Sequence, residues 1–290
     1  MTVLTAKNHS PSSKNQKTRS ARALLVLVLA GAIGLATASC TLSSEKLEFE
    51  RAEKEAQSKD FEAALKHYKV IVDRYVKSDY AIRAAKEAAR ISQYETRKFQ
   101  DAVEFNKHLV LYAPKTQDRN DAQKRIAELY FNNIQDYSQA VIEFNRLLEL
   151  PHTPEEELHY RISIARSYFY LGNFFQSEVE IDQLLKRDFK APQVFDALLL
   201  KANIYLTTKR IDDAIEVLKA LLEKYPERSR EETIGLVLAV CYEEQKNFAK
   251  AIETLQSIKD HYPRKAFIEK RIKALRERQT LLPGARGFRK

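Results

Sequence analysis

Glycine is scarce in this chain, with six in 290 residues. A phosphate-cradling loop needs several glycines within a few positions, so that chemistry is excluded. Cysteine is rarer still. Cys40 and Cys241 are the only two, which excludes a disulfide framework and a cysteine metal site. The six histidines (His9, His67, His108, His152, His159, His261) are scattered, with no pair at helical ligand spacing. No serine sits in a Gly-x-Ser-x-Gly elbow. The acidic runs Glu155-Glu-Glu157 and Glu231-Glu232 are expected at helix starts, where the helix dipole favours them over a role in acid–base work. These absences point to a noncatalytic protein without cofactor or metal. A cell-wall-active enzyme with a dispersed site stays a remote alternative.

What is present is repetition. Ala-x-x-Tyr recurs as Ala127/Tyr130, Ala165/Tyr168, Ala202/Tyr205 and Ala239/Tyr242, and Ala52 and Ala89 extend the phase upstream. Nine or ten residues after each alanine comes a bulky residue: Phe61, Phe99, Tyr137, Phe174, Ile211 and Phe248. Three further on comes a small one: Ala64, Ala102, Ala140, Ser177, Ala214 and Ala251. Repetition at a fixed period of this length marks a stacked array of supersecondary units. Apolar residues at steps of three and four, as in Ile211, Ala214, Ile215, Leu218, Leu221 and Leu222, make each unit a pair of helices. The small residues are expected where paired helices cross. Pro226 is expected to end the second helix of the fifth copy.

A small residue in the first helix, an aromatic three on, an aromatic opening the second helix, then alanine and a closing proline: this pattern resembles the tetratricopeptide repeat. It covers copies at about 45–78, 83–116, 121–154, 158–191, 195–228 and 232–265, with Val76 and Phe189 where prolines would close the first and fourth. Copies two and three carry one extra residue in the inner turn. The fold class expected is all-α, a right-handed solenoid of about six hairpins. An amphipathic capping helix over 266–279, with Phe267, Ile268, Ile272 and Leu275 on one stripe, should cover its last apolar face.

The resemblance further implies a concave groove lined by first helices. Carried over position by position, it gives peptide-groove candidates His159, Ile162, Arg166, Phe169 and Tyr170 in the fourth copy. The fifth copy supplies Asp196, Leu199 and Asn203, and the sixth Thr233, Leu236 and Val240. The run Tyr168-Phe-Tyr-Leu-Gly-Asn-Phe-Phe175 holds more aromatics than packing requires. They serve either as peptide anchors or as fillers between neighbouring copies. Cys241 is expected to be a small buried apolar residue.

The amino terminus reads as an address. Residues 1–22 hold five basic residues and no acidic one, and residues 23–36 are an apolar run of 14, short for a membrane span. Small residues 37–39 then precede Cys40. This is similar to bacterial lipoprotein precursors, and it implies a cleaved signal over 1–39, a lipidated Cys40 with a short linker over 40–44, and repeats facing the periplasm. Thr41 in place of an aspartate leans towards the outer membrane. The alternative is an uncleaved signal anchor.

The net charge of +9 is uneven. From Arg264 onward there are ten Lys/Arg against two Glu, so the basic character lies in the cap and in the tail over 280–290. That tail is either a solvated end or a contact for anionic lipid or an acidic partner; no nucleic-acid role is expected. A lipid anchor followed by these repeats resembles BamD-like lipoproteins of outer-membrane β-barrel assembly, and secondarily CpoB-like proteins. The segment Asp73-Arg-Tyr-Val-Lys-Ser-Asp-Tyr-Ala81 carries the first resemblance. It implies a scaffold holding barrel-assembly components and unfolded outer-membrane proteins. Peptidoglycan, Tol–Pal, secretion and pilus machinery are the alternative settings.

Overall fold

The computed structural model describes residues 44–187 and 194–281. The signal over 1–39, Cys40, Phe189 and the tail from 282 lie outside them. Every regular element among the described residues is helical. The chain divides into two compact units that meet at Arg119 and Asn120.

The first unit holds α1 (44–57), α2 (Phe61–Arg74), α3 (Asp79–Tyr94) and α4 (Phe99–Tyr112). α2 buries Ala64, Leu65, Tyr68, Ile71 and Val72, one helical stripe, and packs on α3. α3 buries Ala81, Ala84, Ala85, Ala88 and Ala89, small side chains that let α2 and α4 approach closely. Phe49 of α1 closes this core edge-on against Tyr68, with ring centroids 5.7 Å apart.

In the second unit α5 (Thr116–Glu128), which starts before the boundary, runs on as a π-helical turn, Leu129–Ile134. Then come α6 (Tyr137–Leu148), α7 (Pro154–Tyr170), α8 (Phe174–Leu185), α9 (Val194–Thr207), α10 (Ile211–Lys224), α11 (Pro226–Glu231), α12 (Ile234–Glu244), α13 (Phe248–Ile258) and α14 (Lys265–Thr280). α7 packs on α8, α9 on α10 and α12 on α13 as hairpins, and α8 on α9 and α10 on α12 join neighbouring hairpins. This is the stacking of an all-α solenoid.

The repeat phase is a burial phase. Ala52, Ala89, Ala127, Ala165, Ala202 and Ala239 are all buried, as are Ala64, Ala102, Ala140, Ser177, Ala214 and Ala251. Ser177 keeps the small size, and its hydroxyl donates to the Ala165 carbonyl at 2.7 Å, so the added polar group is satisfied. The inner turns share a second mark that composition does not show. Lys59, Arg97, Gln135, Gly172, Lys209 and Lys246, each two residues before a second helix, all have positive φ. Glycine is the residue suited to that conformation, yet five of the six positions hold another. Asp60, Asp136, Asn173 and Asn247 then cap the following helix through their side chains, whereas Lys98 and Arg210 make no such bond.

Three expectations are corrected. Pro226 does not simply end a helix: α10 stops at Lys224, and Pro226 takes the first position of the short α11, where its missing N–H is no loss. Glu231 and Glu232 consequently close α11 instead of opening a helix. In α14, Ile268, Ile272 and Leu275 are buried, but Phe267 is 41% exposed and stacks on Tyr262. Adjacent residues point about 100° apart on a helix, so Phe267 and Ile268 cannot both face the core. Each of the three inward residues stabilises the cap by about 1.5–3 kcal/mol.

Cys241 is buried within this C-terminal core. Burial, with the Glu244 charge adding to it, pushes its thiol up to about 11.

Candidate peptide-binding surface

α7 is started firmly. Thr153 Oγ1 accepts from the Glu156 N–H, the Glu156 carboxylate accepts from the Thr153 N–H, and Pro154 sits at the first helical position. Beyond this cap the helix presents His159, Arg166 and Tyr170 outward, at steps of seven and four. His159 Nε2 lies 2.7 Å from Glu128 Oε1 at the end of α5. Arg166 lies 3.6 Å from Asp196 Oδ1 on α9. Asp196 also accepts from Arg228 of α11 at 2.7 Å, and that guanidinium stands 4.4 Å over the Phe195 ring. A polar ladder thus links successive first helices, and it is anchored from beneath by aromatic packing.

Not every candidate lies on this ladder. Ile162 is buried among Leu158, Ala165, Ile181 and Leu184, so it belongs to the core and offers no groove surface. Thr233 is not on a helix face. It adopts a left-handed backbone, φ 55°, between α11 and α12, and lines a 240 Å³ cavity with Tyr262 and Pro263. Leu199 and Leu236 are half-buried against the C-terminal core, and Val240 is half-buried as well. Asn203 is exposed. Phe169 packs edge-on against Phe174, 5.5 Å between centroids, and against the neighbouring core.

The aromatic run divides by position. Tyr170, 55% exposed, stacks on Tyr137 at 4.7 Å, and Phe131 of the π-helical turn lies 6.2 Å away. Packing between hairpins therefore uses one Tyr170 face and leaves the other to solvent. Phe175 is 76% exposed and Leu171 half-exposed beside it. Neither was singled out by position in the repeat, although both stand in the aromatic run. Glu128 and Arg228 were also missed. The repeat phase does not mark them, because they stand 31 and 32 residues from His159 and Asp196, short of the repeat spacing of the buried alanines.

Electrostatics around α7 favour ionised carboxylates. Burial opposes ionisation of Glu157, but hydrogen bonds from Arg161 and Arg187 outweigh it and hold the carboxyl below its ordinary value. The Lys124 ammonium does the same for Glu156, helped by the Thr153 N–H. Such groups bind and orient; they are not poised to exchange protons near neutrality. Among the described residues no group of His, Cys, Asp and Glu is placed to hold a metal ion.

Comparison with known proteins decides the repeat type. A tetratricopeptide repeat profile matches residues 162–229, and a second profile of that repeat matches 236–264. The chain carries tetratricopeptide repeats. Tetratricopeptide arrays are protein–protein interaction scaffolds. One solved structure reaches a TM-score that speaks to the fold, and two more align below it. The structure of Naa15/Naa10 bound to HypK-THB aligns at TM-score 0.50 and 18% identity, over 81% of this chain and 39% of that one. The type IV pilus biogenesis factor PilW aligns at 0.47 and 14%, over 78% and 98%. YrrB, described as a tetratricopeptide protein with an unusual peptide-binding site, aligns at 0.42 and 14%, over 62% and 86%. At 18% identity the first of these speaks to the fold alone, and the other two carry no argument. A sequence search of curated proteins finds no match.

Proposed function

We propose that this chain is a noncatalytic tetratricopeptide scaffold of the bacterial cell envelope. It is tethered through a lipidated Cys40, faces the periplasm, and holds a protein segment on the first-helix face of its second unit. The observation carrying the binding surface is the outward set His159, Arg166, Asp196 and Asn203, with the free face of Tyr170 at its edge. Charged groups set register on an extended peptide, and an exposed aromatic supplies an anchor. The sequence before residue 44 supports the envelope location, and the likeness to BamD-like lipoproteins makes a barrel-assembly component the first partner to seek.

The test is capture from native envelopes with crosslinking, comparing the wild type with Arg166→Glu/Tyr170→Ala. Both sites are partly exposed, so the variant should stay folded. Loss of the captured protein supports this surface, and undiminished capture rejects it. Recovery of the barrel-assembly protein supports the BamD-like role, whereas recovery of cell-wall synthases or pilus components replaces it. Mass spectrometry of the mature amino terminus tests the anchor separately. An unmodified Cys40, or a chain starting elsewhere, overturns the tether.

A further inference from the structure

The basic residues of α14 fall into two groups. Lys265 pairs with Asp260 at 3.4 Å, and Arg271 and Arg278 both turn to Glu243, at 2.8 and 3.4 Å. Lys270, Lys273 and Arg276 have no ion pair or hydrogen bond among the described residues, and all three are exposed. Glu269, which stands among them, is taken by Lys259 at 3.1 Å. Lys270 and Lys273 therefore stand on the side of the helix away from Ile268, Ile272 and Leu275, while Arg276 flanks the buried stripe.

That side is not purely polar. Phe267, Lys270, Ala274 and Leu281 recur at steps of three, four and seven, which places them on one outward stripe. Lys273 borders the stripe and Glu277 is its single carboxylate, whereas Arg276, nine residues from Phe267, lies about half a turn round the helix and off the stripe. Phe267 and Leu281 are exposed at its two ends, 41% and 71%, about 21 Å apart along the helix. The pattern has an apolar side chain at each end, flexible cations between, and a convex helix surface.

We propose that this outward face of α14 docks on the headgroups of an anionic phospholipid membrane, with Lys270 and Lys273 meeting phosphates and Phe267 and Leu281 entering the interface. Charge complementarity names an anionic partner, and shape selects among such partners. An acidic peptide needs a cleft to be enclosed, whereas a single convex helix meets a plane along its whole length. Lysine and arginine stems lie along apolar surface while their heads reach phosphate, and terminal apolar residues suit the interfacial zone. No helix of the described residues is long and apolar enough to cross a membrane, so the contact is one of surface attachment. This surface is independent of the amino-terminal tether.

The full chain is sedimented at low salt with vesicles of phosphatidylcholine alone, or of phosphatidylcholine and phosphatidylglycerol in equal parts. The five basic residues of 1–22 and the basic tail are common to every variant, so the reading is the change in preference for the anionic vesicles from one variant to another. Lys270→Glu/Lys273→Glu should reduce that preference roughly thirtyfold, the equivalent of about 1 kcal/mol for each cation. Lys54→Glu/Lys66→Glu, with the same change in net charge on the first unit, should keep it. Phe267→Ser/Leu281→Ser should lower retention on anionic vesicles at raised salt, where the charge contribution is screened. Matched thermal melts confirm that each variant is folded. No preference in the wild type, equal loss in both charge variants, or a preference for soluble polyglutamate over vesicles would overturn the assignment.

Discussion

Arg228 donates to Asp196 Oδ1 at 2.7 Å while its guanidinium plane lies over the Phe195 ring. One side chain thus ties α11 to α9 by charge and by packing. Both partners of the ion pair are about a quarter to a third exposed, so the charge part is modest. Asp196→Asn should cost under about 1 kcal/mol in urea unfolding. Arg228→Ala should cost more, because the cation–π contact over Phe195 goes too. A double-mutant cycle returning no coupling between 196 and 228 would show that the pair does not form in solution.

The shared left-handed turn position gives a prediction with an internal control. Lys246 holds φ 58° at a site where Gly172 holds 75°. A side chain there costs roughly 1–2 kcal/mol relative to a permitted conformation. Lys246→Gly should therefore raise stability by about 0.5–1 kcal/mol, despite the greater freedom of glycine in the unfolded chain. Gly172→Ala should lower it by a similar amount. Thermal melts shifting in the same direction for both variants would refute the common turn geometry.

Gly235 stands at a close helix crossing. A Cβ built there would lie 2.5 Å from Ile258 Cγ2, a branch methyl on α13 with little freedom to withdraw. Gly235→Ala should destabilise the second unit by about 1–3 kcal/mol. Ile258→Ala removes the clashing methyl, so the double variant should lose less than the sum of the single changes. Strict additivity in denaturant unfolding would contradict this contact.

His108 predicts a pH dependence in the first unit. Burial holds its imidazole below the ordinary value of 6.5, against opposing pulls from the Val76 carbonyl and Asp73, and its Nε2 has no partner. The unfolded chain takes up a proton near 6.5, and the folded chain only at lower pH. The stability this group contributes is complete above 6.5 and is lost as pH falls through the depressed folded value. His108→Phe should remove that part of the acid sensitivity. Parallel pH profiles of unfolding free energy for the two proteins would rule it out.

Most of the fold could be read from residue size. Close helix crossings admit only small side chains, so Ala127, Ala165, Ala202 and Ala239 announce themselves by recurrence. Backbone choices were not legible. Thr233 is an ordinary helix residue by composition, and only the chain path out of α11 makes it left-handed. Phe267 and Ile268 are equally apolar, and Tyr262 and Arg264 supply the outside partners that hold Phe267 away from the core. For the candidate surface, periodicity found the helix faces but not their neighbours. His159 and Arg166 gained specific partners, Glu128 and Asp196, only once the hairpins were stacked.

Hairpin three has one residue more than hairpins four to six before its second helix, and the π-helical turn at Leu129–Ile134 takes it up by widening the coil. The surplus never reaches Gln135 or Ala140, which keep the backbone and burial of their counterparts elsewhere. Length variation in such an array can thus be stored in girth. An insertion need not slip the alignment of one layer on the next, and the ring it displaces, Phe131, is swung onto Tyr137 and Tyr170, adding apolar cover at the seam.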